Sequence, residues 1–184
     1  MAASPLFVIT GPPGSGKTPL VRELVALGFT GVPEPAREVI AAQRAIGGKG
    51  VYDKNPQLFL DLMLSRAVAD FERMCRASGP VFFDRGIPDL IGYAELFGLD
   101  PAPAAHAAAA HRYHDRVFAL PSWPEIYVTD SDRRMTVEAA AAFGAQIRSA
   151  YVDLGYAVVD VPCDTVVARA QFICDMLSHP VVGR

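Results

Sequence analysis

The sequence predicts an α/β protein, a three-layer sandwich in which a mostly parallel, five-stranded sheet is flanked by helices. Three observations predict it. Short apolar runs rich in β-branched and aromatic residues alternate with longer stretches of helical period, the pattern of parallel sheets with right-handed crossovers. The first run, Leu6-Phe7-Val8-Ile9-Thr10, is continuous and not alternating, as suits a strand buried on both faces. Hydrophobic residues make up 51% of the 184 positions, enough to bury such a sheet as one domain, residues 1–184, without covalent staples.

Each element follows in order along the chain. After the first strand comes a glycine-rich turn and a helix from Lys17 to Leu27, closed by Gly28. Pro19 falls in its first turn, where no intrahelical donor is needed. Gly28 to Val32 forms a short second strand that ends at Pro33-Glu34-Pro35, and a helix runs from Ala36 to Ala45. Gly47-Gly48-Lys49-Gly50 breaks it into a mobile connector. Asn55-Pro56 starts a long helix to about Cys75, and Gly79-Pro80 ends it. Val81-Phe82-Phe83 is a third buried strand with Asp84-Arg85-Gly86 at its tip, and Asp89 to Leu96 a short helix. The Ala- and Pro-rich stretch from Asp100 to Ala110 carries no clear signal. Glu125 to Thr129 reads as the fourth strand, with Trp123 packed at its entrance. Thr136 caps a helix to Leu154 that Gly155 closes. Ala157 to Val161 is the fifth strand and Thr165 to Leu177 the last helix.

A net charge of −3 argues against a broad basic surface for nucleic acid, so any polyanion is expected in a local pocket. Cys75, Cys163 and Cys174 are scattered and show no metal-ligand spacing, which reads as reduced thiols. No run reaches the roughly 18 apolar residues of a membrane span. A cytoplasmic protein is the expectation.

Gly11-Pro12-Pro13-Gly14-Ser15-Gly16-Lys17-Thr18 matches G-x-x-x-x-G-K-[ST], with a strand before it and a helix after it. Such a P-loop turns backbone N–H groups around a phosphate at the positive end of a helix. Lys17 supplies a point charge to the β and γ phosphates, and the Thr18 hydroxyl a ligand for Mg²⁺. The motif is specific for nucleotide binding and makes the expected fold that of a P-loop NTPase. It is silent on what the nucleotide is used for.

Functional groups of parallel sheets gather at the C-terminal ends of strands, and three such ends here are charged. Glu34, stiffened between two prolines, can take or orient the proton of an attacking hydroxyl, or it is a solvated loop residue. Arg37, one turn on, can clamp an anionic part of a substrate. Asp84 can hold Mg²⁺ through water, act as the base itself, or cap the turn near Gly86. Arg85 offers a planar fork to phosphate or carboxylate. The third end, Asp130-Ser131-Asp132-Arg133-Arg134, sits in a lid segment near 130–136. Arg133 and Arg134 can close over the phosphates, or form an ordinary exposed cluster.

Together the P-loop, Glu34-Pro35-Ala36-Arg37-Glu38, Phe82-Phe83-Asp84-Arg85-Gly86 and Asp130 to Arg134 resemble a family of small AAA-type ATPases. That family is allied to the ribosylnicotinamide kinase domain and, more distantly, to deoxynucleoside and nucleoside-monophosphate kinases. The resemblance covers nearly the whole chain. It implies that Glu34 is the base toward the acceptor hydroxyl, that Asp84-Arg85 is the acidic–Arg pair after the third strand, and that adenine packs near Pro162-Cys163-Asp164-Thr165. The lid segment departs from many such kinases in having two arginines in place of a longer Arg-rich run.

The expected activity is an ATP- and Mg²⁺-dependent transfer of phosphate to a small molecule, nucleoside- or nucleotide-like by resemblance. The alternative is a regulatory ATPase coupled to a protein partner; a guanine-reading Asn-Lys-x-Asp motif is absent, which disfavours a GTPase switch. His111, His114 and Asp115 read as one helix face, with spacing too loose for zinc. With Arg112 and Arg116 that segment is expected to border the substrate pocket. Phe82, Phe83, Phe143 and Phe172 read as core.

Overall fold

The computed structural model describes residues 5–127 and 135–178. The chain runs β1 (Leu6–Thr10), α1 (Lys17–Ala26), β2 (Thr30–Val32), α2 (Pro35–Ala45), α3 (Pro56–Met74), β3 (Val81–Asp84) and α4 (Asp89–Leu96). It continues through α5 (Ala102–Ala110), β4 (Arg116–Ala119), a 3₁₀ turn (Pro124–Ile126), α6 (Val137–Asp153), β5 (Ala157–Asp160) and α7 (Val166–Ser178). The strands form one sheet in the order β2-β3-β1-β4-β5, and every pairing is parallel.

Alternation along β1 divides the interior into two cores. Leu6 and Val8 point to a core filled from α2 to α6, with Phe59, Met63, Phe83, Phe143 and Ile147. Phe7 and Ile9 point to the other, filled by α1 and α7 with Leu20, Leu24, Phe82, Phe118 and Ile173. This is the three-layer sandwich expected of a strand that is apolar on both faces. Helix starts follow local chemistry. Pro35 and Pro56 occupy first turns, and Asn55 Oδ1 accepts the Leu58 N–H at 3.0 Å.

Of the fourth strand that the sequence predicts at Glu125–Thr129, 125–127 are not strand and 128–129 lie outside the described residues; β4 is Arg116–Ala119. Its Val117 and Phe118 are fully buried, and it hydrogen-bonds to β1 on one side and β5 on the other. Pro124-Glu125-Ile126 instead forms an exposed 3₁₀ turn beyond the sheet. A strand beginning beside a proline, with an exposed glutamate and isoleucine, could not replace that doubly paired position. The Ala-rich stretch is the helix α5, with prolines confined to its start and Ala104 and Ala108, one turn apart, buried. His111 therefore ends α5, and His114 and Asp115 lie in the approach to β4, so the three share no helix face. No group of three His, Cys, Asp or Glu among the described residues is arranged to hold a metal ion. No helix among them is long and apolar enough to cross a membrane.

Candidate active site

β1 lies between β3 and β4, so the chain leaves the sheet in opposite directions on its two sides and opens a crevice at the C-terminal ends. The P-loop fills it. Gly11 has φ +135°, and a Cβ there would fall 2.3 Å from the Leu120 carbonyl oxygen, so the loop can leave β1 against β4 only through glycine. Lys17 opens α1 and is buried; its Nζ donates to the carbonyls of Gly11 (3.0 Å) and Pro12 (2.7 Å) and to Ser15 Oγ (3.4 Å). Burial, with repulsion from Arg85, pulls its pKa from the usual 10.5 to about 7 against the pull of Asp84 and Glu34. An anionic ligand held there would restore the charge.

Beside it Thr18 Oγ1 donates to Asp84 Oδ2 at 2.6 Å, across the sheet from α1 to the tip of β3. Asp84 is 1% exposed, and its Oδ1 has no hydrogen-bond partner among the described residues. A hydroxyl and a carboxylate with an unsatisfied buried oxygen form a hard-oxygen set of the kind Mg²⁺ takes, so these residues fit the ion. Asp84 does not cap the Gly86 turn. Asp89 Oδ2 takes that N–H at 2.9 Å.

Arg85 is the one non-glycine residue with positive φ among the described residues, at +75°. Its N–H donates to Ile9 O, continuing the ladder, while its side chain turns back between two carboxylates. Nε donates to Glu34 Oε1 and Nη1 to Asp89 Oδ1, each at 2.8 Å. Asp89 is itself fully buried and also accepts from Thr10 Oγ1 (2.8 Å) and Tyr151 OH (2.5 Å). The hub thus ties β1, α4 and α6 to the tip of β3. Arg37 sits 3.5 Å from the other Glu34 oxygen and is half exposed. Burial works to raise the Glu34 pKa, but Arg85, Lys17 and Arg37 outweigh it and hold the carboxyl below its usual range. Asp84 moves the opposite way, raised by burial and by the nearby Glu34 charge.

A cavity of about 730 Å³ joins these groups. It is lined by Pro13, Gly14, Gly16, Lys17 and Thr18 of the P-loop, by Glu34, Arg37 and Arg85, and by an aromatic wall of Tyr52, Phe59, Tyr93, Phe97 and Phe143. Neither the Gly47–Gly50 connector nor the Ala-rich α5 lines it. Arg112 and Arg116 are elsewhere too. Arg112 stacks on Tyr156 at 4.0 Å, and Arg116 donates to the Met176 carbonyl. Phe143, expected as core, is also cavity wall. The sequence reading missed the hub residue Asp89, the aromatic wall and Arg44. Tyr93 on α4 and Phe97 at its C-cap, four residues on, and Arg44, two turns beyond Arg37, were the available signals.

β4 ends at Ala119, and the expected third tip, Asp130 to Arg134 with Arg133 and Arg134, lies outside the described residues. The flanking residues are placed: Tyr127 packs its ring on Gly14, Met135 lines the cavity, and Tyr127 OH donates to Met135 O at 2.8 Å. Cys163 and Asp164 are exposed in the turn after β5, beside the Arg169 guanidinium and outside the cavity lining.

Solved structures share this fold. NadR in complex with NR superposes with a TM-score of 0.72 at 22% identity, over 95% of this chain and 50% of that one, so the chain spans about half the length of NadR. Deoxyadenosine kinase from M. mycoides with bound dATP gives 0.67 at 16%, over 95% and 99%. Thymidylate kinase from Candida albicans gives 0.65 at 14%, over 97% and 92%. At these identities what is shared is the fold. No curated protein matches the chain. The family model described as an AAA domain matches residues 6–169, from the first residue of β1 into α7, and the chain belongs to that family.

Proposed function

We propose that this protein is an ATP- and Mg²⁺-dependent phosphotransferase acting on a small acceptor, nucleoside- or nucleotide-like. One observation carries the reading: the P-loop, an aromatic wall and a carboxylate held ionised, Glu34, line a single cavity. The aromatic wall suits a planar ring, and the kinase fold of the neighbours supports an acceptor of that kind.

In this reading the acceptor hydroxyl attacks the γ-phosphorus of ATP, the bond to the β,γ-bridging oxygen breaks, and ADP leaves. The hydroxyl proton passes to Glu34. Of the two candidate bases Glu34 is the better, because its cations keep it ionised while burial works toward neutralising Asp84. Thr18 and Asp84 would hold Mg²⁺, whose chemistry is to neutralise charge on the phosphate oxygens. Lys17 takes the phosphates, Arg85 orients Glu34, and Arg37 meets an anionic part of the acceptor. Arg133 and Arg134 are proposed as the lid cations, and the turn with Cys163 and Asp164 as the neighbour of the adenine.

The test is ADP production from Mg-ATP, alone and with a panel of nucleosides, nucleotides and other phosphorylatable metabolites. One acceptor should raise turnover by orders of magnitude, and Lys17→Ala should abolish it. Slow ADP release that no acceptor changes would replace this reading with a regulatory ATPase.

A further inference from the structure

Arg169 lies in the first turn of α7 and is 1% exposed, the largest fully buried side chain among the described residues. Its Nη1 donates to Ser15 O in the P-loop at 2.9 Å and its Nε to Pro162 O after β5 at 3.0 Å. The Trp123 ring covers the guanidinium at 4.5 Å. The Cys163 thiol and the Asp164 charge lie beside it in the exposed turn after β5, and Nη2 has no hydrogen-bond partner among the described residues. Two carbonyls, a π face and the neighbouring Cys163 and Asp164 return only part of the cost of burying a cation, since burial still lowers its pKa. Filling the space alone would need only a methionine.

The cation does something a methionine cannot. In a trans peptide the C=O and the following N–H point in opposite directions. Drawing Ser15 O outward to Arg169 therefore aims the Gly16 N–H toward the cavity that Gly16 lines. Glycine permits the approach: a Cβ on Gly16 would meet Arg169 Nη1 at 3.0 Å. The same guanidinium places a positive charge directly behind the loop.

We propose that Arg169 is a positioning residue of the phosphate loop, holding the Ser15–Gly16 peptide from outside so that its N–H faces the nucleotide phosphates. This rests on the reading of the P-loop as a Mg-nucleotide site. Because Trp123 stacks on the same guanidinium and is the single tryptophan, its emission reports the arrangement.

The test is calorimetric titration of Mg-ATP into wild type, Arg169→Met and Arg169→Lys, with acceptor KM measured in parallel. Tryptophan emission is followed during the wild-type titration. Arg169→Met should weaken Mg-ATP by about tenfold or more, as expected for losing a charged hydrogen bond, while acceptor KM stays within about twofold. Arg169→Lys should fall between, since one ammonium cannot reach both carbonyls as the fork does. Wild-type emission should change on titration. A folded Arg169→Met that binds Mg-ATP as wild type does overturns the proposal and leaves the P-loop reading standing. Equal losses in Mg-ATP affinity and acceptor KM also overturn it, because they mark a merely structural role. If Arg169→Met does not fold, wild-type affinity in Arg169→Lys overturns it. A wild type that binds no Mg-ATP sinks both readings together.

Discussion

Arg85 holds the site's geometry at the cost of its own backbone. Its φ of +75° is one that side chains rarely adopt, and such strain costs about 1–3 kcal/mol. The offset is a guanidinium shared by Glu34 and Asp89, both held within 2.8 Å. Arg85→Met keeps the strain and takes the cation from the fully buried Asp89 and the partly buried Glu34, so denaturant unfolding should show a loss of about 3–5 kcal/mol. Arg85→Gly loses the same pairs but relieves the backbone, and should be less destabilised by about 1 kcal/mol. A glycine variant no more stable than the methionine one would mean that the turn stores no strain. At Glu34 the expectation is kinetic: Glu34→Gln should lower kcat by about 10²–10⁴ and leave Mg-ATP affinity intact. A variant that kept its rate would return the role of base to Asp84.

β4 and the short approach to it carry a pH dependence. His114 packs on the Phe7 ring at 4.3 Å, and its Nδ1 accepts the Arg116 N–H at 3.0 Å, an arrangement that needs neutral imidazole. Burial, then the Arg116 charge, lowers its pKa below the usual 6.5. The unfolded chain therefore binds more protons than the folded one in the window below 6.5, so this contribution is complete above 6.5 and is lost as the pH falls. Replacing the imidazole with an amide that does not titrate, His114→Gln, should flatten that part of the stability–pH curve in unfolding measured from pH 7 to 5. Curves that stay parallel would dismiss the residue as the source. The same elements explain a failure of legibility. Both Arg116–Ala119 and Glu125–Thr129 are apolar enough to be strands, and local pattern cannot rank them. Pairing with β1 and β5, which buries Val117 and Phe118, decides for the first.

For the molecule as a whole, charge is distributed against its net value. The chain is at −3, yet its main cavity is lined by Lys17, Arg37, Arg44 and Arg85 with Glu34 as the single acidic residue among the described lining. Low-dielectric walls focus that field, so an anionic ligand should bind the folded state alone. Mg-ATP at a hundred times its Kd would then add about 2.7 kcal/mol of stability, a rise in Tm on the order of 5–10 °C for a domain of this size. Lys17→Ala should show no such rise. A shift retained in that variant would place the nucleotide somewhere other than the P-loop.

What the sequence determined by itself is whatever a short window contains: the phosphate loop with its strand and helix, the proline and asparagine helix starts, and the charged tips Glu34 and Asp84-Arg85. These rest on backbone conformations and capping contacts made within a few residues. Tertiary structure decided which partners those groups meet. Asp89 and Tyr151 are 62 positions apart, and Arg169 and Ser15 are 154 apart, and neither pair has a local signature. The aromatic wall read as core for the same reason. A ring facing a cavity and a ring facing a packed neighbour carry the same local hydrophobic pattern, and only the assembled sheet and helices leave one of them uncovered.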